Sequence, residues 1–341
     1  MTDAIPVPDS LTGLLGARLG GFRASTNDAL LLIAAHGRPS VAVLEAAGVE
    51  PRSLDPAFAA NVVERTGTTV NFTHPLLASV LYQGVTADAR QAAHRRVAAV
   101  VDDPVERSRH LALGTDTPDE GIARALDDAA GVARARGATL AAAELAEHAI
   151  RLTSRAAPED LDRRTIAAAR AHLAGGDARR ARALAESLPN GPSARALSDA
   201  LVLRSDVEWN AHLERAVELR REALEAAAGL PALEAEIHVS LAGFLNLTEG
   251  VESAARHADA ALELAERLDD DTLRVGALEA MAHVRFRAGD PGAVELLDRV
   301  AELVARTPEH PTTARGAPLN GAHGGLVVRV RPRADAPRDP R

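Results

Sequence analysis

Turn residues recur at a near-constant period in this chain: Gly137, Gly176, Asn210, Gly250 and Gly289 lie 39, 34, 40 and 39 residues apart. Between them are runs long enough for two helices each. The second runs resemble one another: "AAAELAEHAIRLT" (141–153), "ARRARALAESL" (178–188), "SAARHADAALELAERL" (253–268) and "GAVELLDRVAELVA" (292–305). In the third, Ala254, Ala258, Ala261, Ala265 and Leu268 form one stripe at helical spacing. A single helical hairpin cannot bury its apolar face alone, so repeats of this length stack into an array of the tetratricopeptide kind. The pattern predicts helices at 105–113, 118–136, 138–153, 158–174, 177–188, 192–205, 210–228, 231–248, 251–268, 270–288 and 291–306.

Composition supports helices packed closely. Apolar residues make up 46% of the 341 positions, but aromatic residues only 2%, and the apolar content is carried by Ala, Leu and Val. Ala is the best helix former and lets backbones approach, whereas a β-sandwich draws on aromatic and β-branched side chains. With no Cys, disulfides, thiolate zinc sites and Cys nucleophiles are excluded. There is also no Lys; all 39 basic residues are Arg. That excludes a P-loop, whose Lys must reach the phosphates, and it excludes Lys-based Schiff-base chemistry. A net charge of −9 argues against nucleic-acid binding by the chain as a whole. No apolar run reaches the roughly 20 residues of a membrane span, and "MTDAIPVPDS" lacks the regions of a secretory signal. A cytoplasmic protein without a membrane segment is expected.

The first hundred residues have a different rhythm. "VPDSLTGLLGARLGGF" (7–22), "STNDALLLIAAHG" (25–37) and "SVAVLEAAGV" (40–49) each read as a helix. "NVVERTGTTVNF" (61–72) carries β-branched residues on both sides of a Thr66-Gly67 turn and reads as a small hairpin. Three helices and a hairpin describe a winged-helix-like module, continued by "HPLLASVLYQGV" and "DARQAAHRRVAAVV". The last residues change again: from Arg315 onward there are six Arg and two Asp, amid Gly and Pro, without helical period. The expected organisation is all-α: a winged-helix-like module over 1–104, a tetratricopeptide-like α-solenoid over 105–308, and a disordered basic tail over 309–341. The abrupt start of that tail is also what a reading-frame change in the gene would produce.

Residues able to carry chemistry are scattered. None of the twelve His forms an H-E-x-x-H pair. His74, His94 and His110 lie 20 and 16 residues apart on three different predicted elements. Their spacing neither requires nor forbids convergence, and the plainer reading is ordinary helix histidines. Acidic runs such as Asp102-Asp103 and Asp269-Asp270-Asp271 stand where helices begin, and they read as caps rather than as a general acid and base. Ser79 lacks a nucleophile elbow, and "GARLGG" (16–21) follows no strand that would make it a phosphate cradle. The Arg-rich stretch 162–183 reads as a solvated face paired with carboxylates, with an anionic partner as the alternative. In "THPLL", Thr73 or His74 stands at the N-cap and Pro75 at the first helical position. No catalytic residue, metal site or cofactor is expected.

Taken together, "VPDSLTGLLGARLGGF…TNDALLLIAAHGRPSVAVLEAA", "VNFTHPLLASVLYQGV", "RQAAHRRVAAVV", "ERSRHLAL" and "RARGATLAAAELAEHAIRLT" resemble the middle of large ATP-dependent LuxR-type transcriptional regulators of actinobacteria, members of the AAA/STAND class. The match runs from about residue 7 to 155; beyond it only helical-repeat character is shared. The resemblance implies a winged-helix segment and a repeat sensor region, here without the P-loop ATPase module and the C-terminal helix-turn-helix. In related STAND ATPases a winged-helix histidine contacts the nucleotide phosphate. By motif position His74 matches it, as a vestigial nucleotide-sensor residue in a chain with no P-loop. The resulting expectation is a non-enzymatic regulatory or scaffold protein, a truncated relative of these regulators, binding a protein partner or small inducer through its repeats. DNA is not expected as a partner of this chain alone. The alternative is a transcription regulator that contacts DNA through the winged-helix module or the Arg-rich tail.

Overall fold

The computed structural model describes residues 19, 21–188 and 191–306, which form two compact units divided between Asp177 and Ala178. Most of the helix expected over 7–22, and the whole tail from 309 onward, lie outside the described residues.

The first unit begins with α1 (Ala24–His36), whose apolar run Ala29–Ile33 is buried and which stops at Gly37, φ 95°. A Cβ-bearing residue is strained at that angle, so glycine ends the helix cleanly. α2 (Val41–Ala46) is capped by the Ser40 hydroxyl, which accepts from the Val43 amide at 3.2 Å. A 3₁₀ turn (Pro51–Leu54) and the short α3 (Asp55–Ala59) follow. β1 (Val63–Thr66) and β2 (Thr69–Phe72) pair antiparallel, with Val63 opposite Phe72 and Thr66 opposite Thr69. The chain entering α2 lies along β2: the Val41 amide donates to the Thr68 carbonyl and the Val70 amide to that of Pro39, both at 2.9 Å. α4 (Pro75–Gly84) and α5 (Ala87–Ala98) complete a core built on Leu30, Ile33, Leu44, Val70, Leu77 and Val97. Each such side chain contributes about 1.5–3 kcal/mol by leaving water.

The rest of this unit is helical: α6 (Pro104–Leu113), α7 (Glu120–Ala135), α8 (Thr139–Leu152) and α9 (Pro158–Ala174). α7 and α8 form an antiparallel pair around Ala123, Leu126, Ala129, Leu145 and Ala149, with α9 packed on α8. Small residues at the seam are what allow these helices to approach closely.

The second unit holds α10 (Ala178–Glu186), α11 (Ala194–Glu208), α12 (Leu213–Ala226), α13 (Pro231–Thr248), α14 (Val251–Leu268), α15 (Asp271–Arg287) and α16 (Ala293–Arg306). The pairs α11–α12, α13–α14 and α15–α16 stack in succession, and α13 also touches α15. Four of the five turn positions read from the sequence are glycines at positive φ: Gly137, Gly176, Gly250 and Gly289. The expected helices of the array appear within a few residues of their predicted ends. Asp103 caps α6, accepting from the Val105 and Glu106 amides, and Asp270 caps α15, accepting from those of Thr272 and Leu273. The 3₁₀ turn and α3 were not anticipated; the stretch "PRSLDPAFAA" is too short and too interrupted by proline to show a helical period.

Candidate functional site

His74 sits at the N-cap of α4, exposed, with its Nδ1 accepting from the Leu76 amide at 3.2 Å and Pro75 at the first helical position. A satisfied cap accounts for this residue without any ligand. It stands apart from the other two histidines singled out in the sequence, which the fold brings together.

His94 on α5 and His110 on α6 stack with ring centroids 5.1 Å apart and share a hydrogen bond between their Nδ1 atoms, 2.8 Å long. The Tyr82 hydroxyl of α4 lies 2.7 Å from His94 Nε2. On the far side, Glu106 Oε1 lies 3.9 Å from His110 Nε2 and 3.5 Å from Nε2 of His36, the last residue of α1. The His36 and His110 rings are 6.1 Å apart, and His36 Nδ1 is buried without a partner. Arg109, next along α6, is ion-paired to Glu144 of α8 at 3.2 Å. His94 and His110 are only 3% and 4% exposed. Burial pushes the His94 ring down to about 4, helped by the Arg109 charge. It pushes His110 down to about 3, with His94, His36 and Arg109 adding to the effect. Burial also raises the Tyr82 phenol. The result is a neutral, hydrogen-bonded Tyr82–His94–His110 chain that joins α4, α5 and α6. Among the described residues no group of three or more His, Asp or Glu is arranged to hold a metal ion.

Sequence reasoning did not join His36, Tyr82, Glu106 and Arg109 to this group. One signal was legible: His94 shares an apolar helical stripe with Val97, Ala98 and Val101, where a solvated histidine does not belong.

A second histidine pair repeats the contact in the other unit. His238 on α13 and His257 on α14 place their Nδ1 atoms 2.7 Å apart, but both rings are only partly buried. Burial, then the neighbouring His238, brings His257 down to about 4.

The Arg-rich stretch is largely engaged. Arg163 pairs with Asp127 and Asp160, and Arg182 with Glu208. Arg164 is wholly buried, bonding Glu120 twice at 2.8 Å, Asp127 at 3.0 Å and the Thr153 hydroxyl at 2.6 Å. This arginine ties α7, the end of α8 and α9 together and is not offered to a partner.

What the array does offer is apolar. Leu247 and Phe286 are 50% and 60% exposed. They stand 39 residues apart, at matching positions in the last turns of α13 and α15. Both helices precede their turn glycine by the same distance, so the two side chains repeat with the array. Val294 at the start of α16 is also exposed.

No family model matches the chain, and neither does any curated protein. Solved structures share a likeness with it. One is a Signal Transduction ATPase with Numerous Domains carrying a tetratricopeptide repeat sensor, from Pyrococcus horikoshii: 12% identity over 91% of this chain and 55% of that one, TM-score 0.48. Another is BtubC from P. vanneervenii, at 20% identity over 69% of this chain and 98% of that one, TM-score 0.48. A third is a putative kinesin light chain from Podosopora anserina with nearly identical TPR-like repeats, at 19% identity over 56% and 99%, TM-score 0.44. The chain spans about half the length of the first of these. At such identities and scores the likenesses carry no functional inference. Among the described residues no helix is long and apolar enough to cross a membrane.

Proposed function

We propose that this chain is a non-enzymatic regulatory scaffold that binds a protein partner through its helical pairs. The observation that carries the reading is the in-register pair of exposed apolar side chains, Leu247 and Phe286, on neighbouring parallel helices. Exposed large hydrophobes that repeat with the architecture are a recurring mark of protein contact. Several arginines and histidines elsewhere, such as Arg164, Arg220, His94 and His110, are buried and serve cohesion. A photo-crosslinking residue placed next to Phe286 should capture a specific partner in cells, and Leu247→Ser with Phe286→Ser should abolish capture. Capture that persists in the double variant would defeat the assignment. Calorimetry with ATP and magnesium should show no binding and a phosphate-release assay no turnover; affinity tighter than millimolar would overturn the non-enzymatic reading.

Descent from LuxR-type ATP-dependent regulators is part of the same proposal. Its support is the motif order in residues 7–155, together with α1, α2, α3 and the hairpin, against whose β2 edge residues 39–41 are hydrogen bonded in the manner of a winged helix. On this reading His74 is a sensor residue reduced to a helix cap, and the protein works in the cytoplasm. The DNA-contacting alternative has less support: Arg38, before α2, and Arg65 of the hairpin are both tied to the hairpin itself, through Asn71 and the Gly67 carbonyl. A salt-dependent shift of promoter DNA, lost on deleting 311–341 or on Arg65→Ala, would favour that alternative.

A further inference from the structure

We propose that the Tyr82–His94–His110–Glu106 chain, with His36, is an acid-sensitive clasp that holds α6 against the N-terminal module and releases it on protonation. The inference stands whether or not the scaffold reading holds, since it concerns the seam inside one unit and no partner.

The geometry sets the direction of the chain. A carboxylate only accepts, so Glu106 favours a hydrogen on His110 Nε2, 3.9 Å away. His110 is neutral, which leaves its Nδ1 as an acceptor. His94 must then donate from Nδ1 across the 2.8 Å contact, and its Nε2 accepts the Tyr82 hydrogen at 2.7 Å. Every ring nitrogen in the His94–His110 pair thus faces a complementary atom while both rings carry a single proton.

Acid upsets this in two steps. A first added proton finds a place on His94 Nε2 if Tyr82 turns from donor to acceptor, at the cost of a cation in a buried site. A second, on His110 Nδ1, sets two N–H groups face to face across a 2.8 Å gap and breaks the bond between the helices. The surroundings do little to offset the new charge. α1 contributes His36, α4 Tyr82, α5 His94 with Arg90 over the tyrosine ring, and α6 Glu106 and Arg109; α8 adds His148 and Glu144. Of the two carboxylates, Glu144 is already engaged by Arg109, which leaves Glu106. A state in which α6 has moved away returns both rings to water, where they bind protons readily below about pH 6.5. Because burial depresses both rings, the seam is fully closed above that pH and loses stability as the pH falls below it.

The test is hydrogen–deuterium exchange of the full chain at about pH 7.5 and 5.5, with labelling times scaled to the intrinsic exchange rate. α6 amides should lose about tenfold or more in protection on acidification, as a two-proton linkage predicts. In the His94→Gln/His110→Gln double variant, which cannot titrate, protection should be the same at both values. Unchanged protection in the natural chain, or an equal acid loss in the double variant, would overturn the clasp. If the double variant fails to fold by circular dichroism, Glu106→Gln decides. Removing the one free carboxylate must move the opening midpoint to higher pH, and an unmoved or lowered midpoint defeats the proposal. His238→Gln/His257→Gln, in the other unit, should leave the α6 response intact; its loss there would place the acid sensor elsewhere.

Discussion

Among the described residues each of the two compact units buries one arginine, and they neutralise it by different means. In the first, Arg164 is surrounded by opposite charge: Glu120 grips it with two hydrogen bonds, Asp127 with a third, and the result is a guanidinium held above its ordinary pKa chiefly by the Glu120 bonds. In the second, Arg220 has Asp206 and the Ser205 hydroxyl at its rim, and it lies 4.5 Å above the centre of the Phe244 ring, which Trp209 also touches. There burial wins, and the arginine is pushed below its ordinary value. The contrast shows that a buried cation can be tolerated by full ionic compensation or by an aromatic face with partial compensation. Both link neighbouring helices, but the first rests on two carboxylates and a hydroxyl, the second on one carboxylate, a hydroxyl and an aromatic face.

That dependence is open to a direct break. Arg164→Met strips three hydrogen-bonded groups of their common partner, including Thr153 at the end of α8, and should cost roughly 3 kcal/mol in urea unfolding of the first unit. The carboxylates are partly exposed and can regain water, which keeps the loss below that of a fully enclosed pair. Arg220→Met should cost only about 1 kcal/mol, because methionine keeps contact with Phe244 and Asp206 can be solvated. Trp209, the single tryptophan, reports on that second unit by fluorescence. Equal losses, or a larger one for Arg220, would remove the distinction between the two modes.

The histidine pairs sharpen the same comparison through pH. A His whose folded pKa is depressed contributes fully above its unfolded value of about 6.5 and weakens the fold progressively as the pH falls toward the folded value. For His94 and His110 that window extends down to about 4 and about 3. Each buried ring can give a slope of up to about 1.4 kcal/mol per pH unit. His257 is brought to about 4 as His94 is, but the lowering of His238 by burial is opposed by the Glu234 carboxylate, so the second unit should lose stability less steeply between pH 6.5 and 5. Chemical denaturation followed by α6 exchange protection and by Trp209 emission would separate the slopes. Identical slopes would mean that the Glu234 carboxylate does not blunt the response.

Much of the array was legible because its information is local. Gly137, Gly176, Gly250 and Gly289 mark turns by their own backbone preference, and Asp103 and Asp270 announce helix starts within three residues. The histidine chain is not local: His36 is 58 residues from His94 and 74 from His110, and no helical period connects them. Arg164 lies between. It sits one turn before Ala168 on the buried face of α9, so its place in the apolar stripe was readable. Its neighbours Asp162 and Arg163 gave the stretch the look of a solvated face instead. Local chemistry fixes where helices start and stop, while the groups that join helices are chosen by contacts that sequence spacing does not encode.

The smallest predicted effect concerns the surface rather than the interior. Leu247→Ser and Phe286→Ser remove apolar area about half of which is already in water, so each should cost no more than about 1 kcal/mol, below the cost for a fully buried side chain. Leu140, exposed on α8 in the first unit, is the natural control: it has no exposed apolar counterpart one repeat away among the described residues. Leu140→Ser should likewise be nearly neutral for folding, and it should leave partner capture unchanged. If the Leu247 and Phe286 substitutions cost several kcal/mol, these side chains support the fold, and the interaction surface must be sought elsewhere. If they are neutral for folding yet abolish capture while Leu140→Ser does not, repetition along the array, and not exposure by itself, is what makes an apolar side chain a docking group.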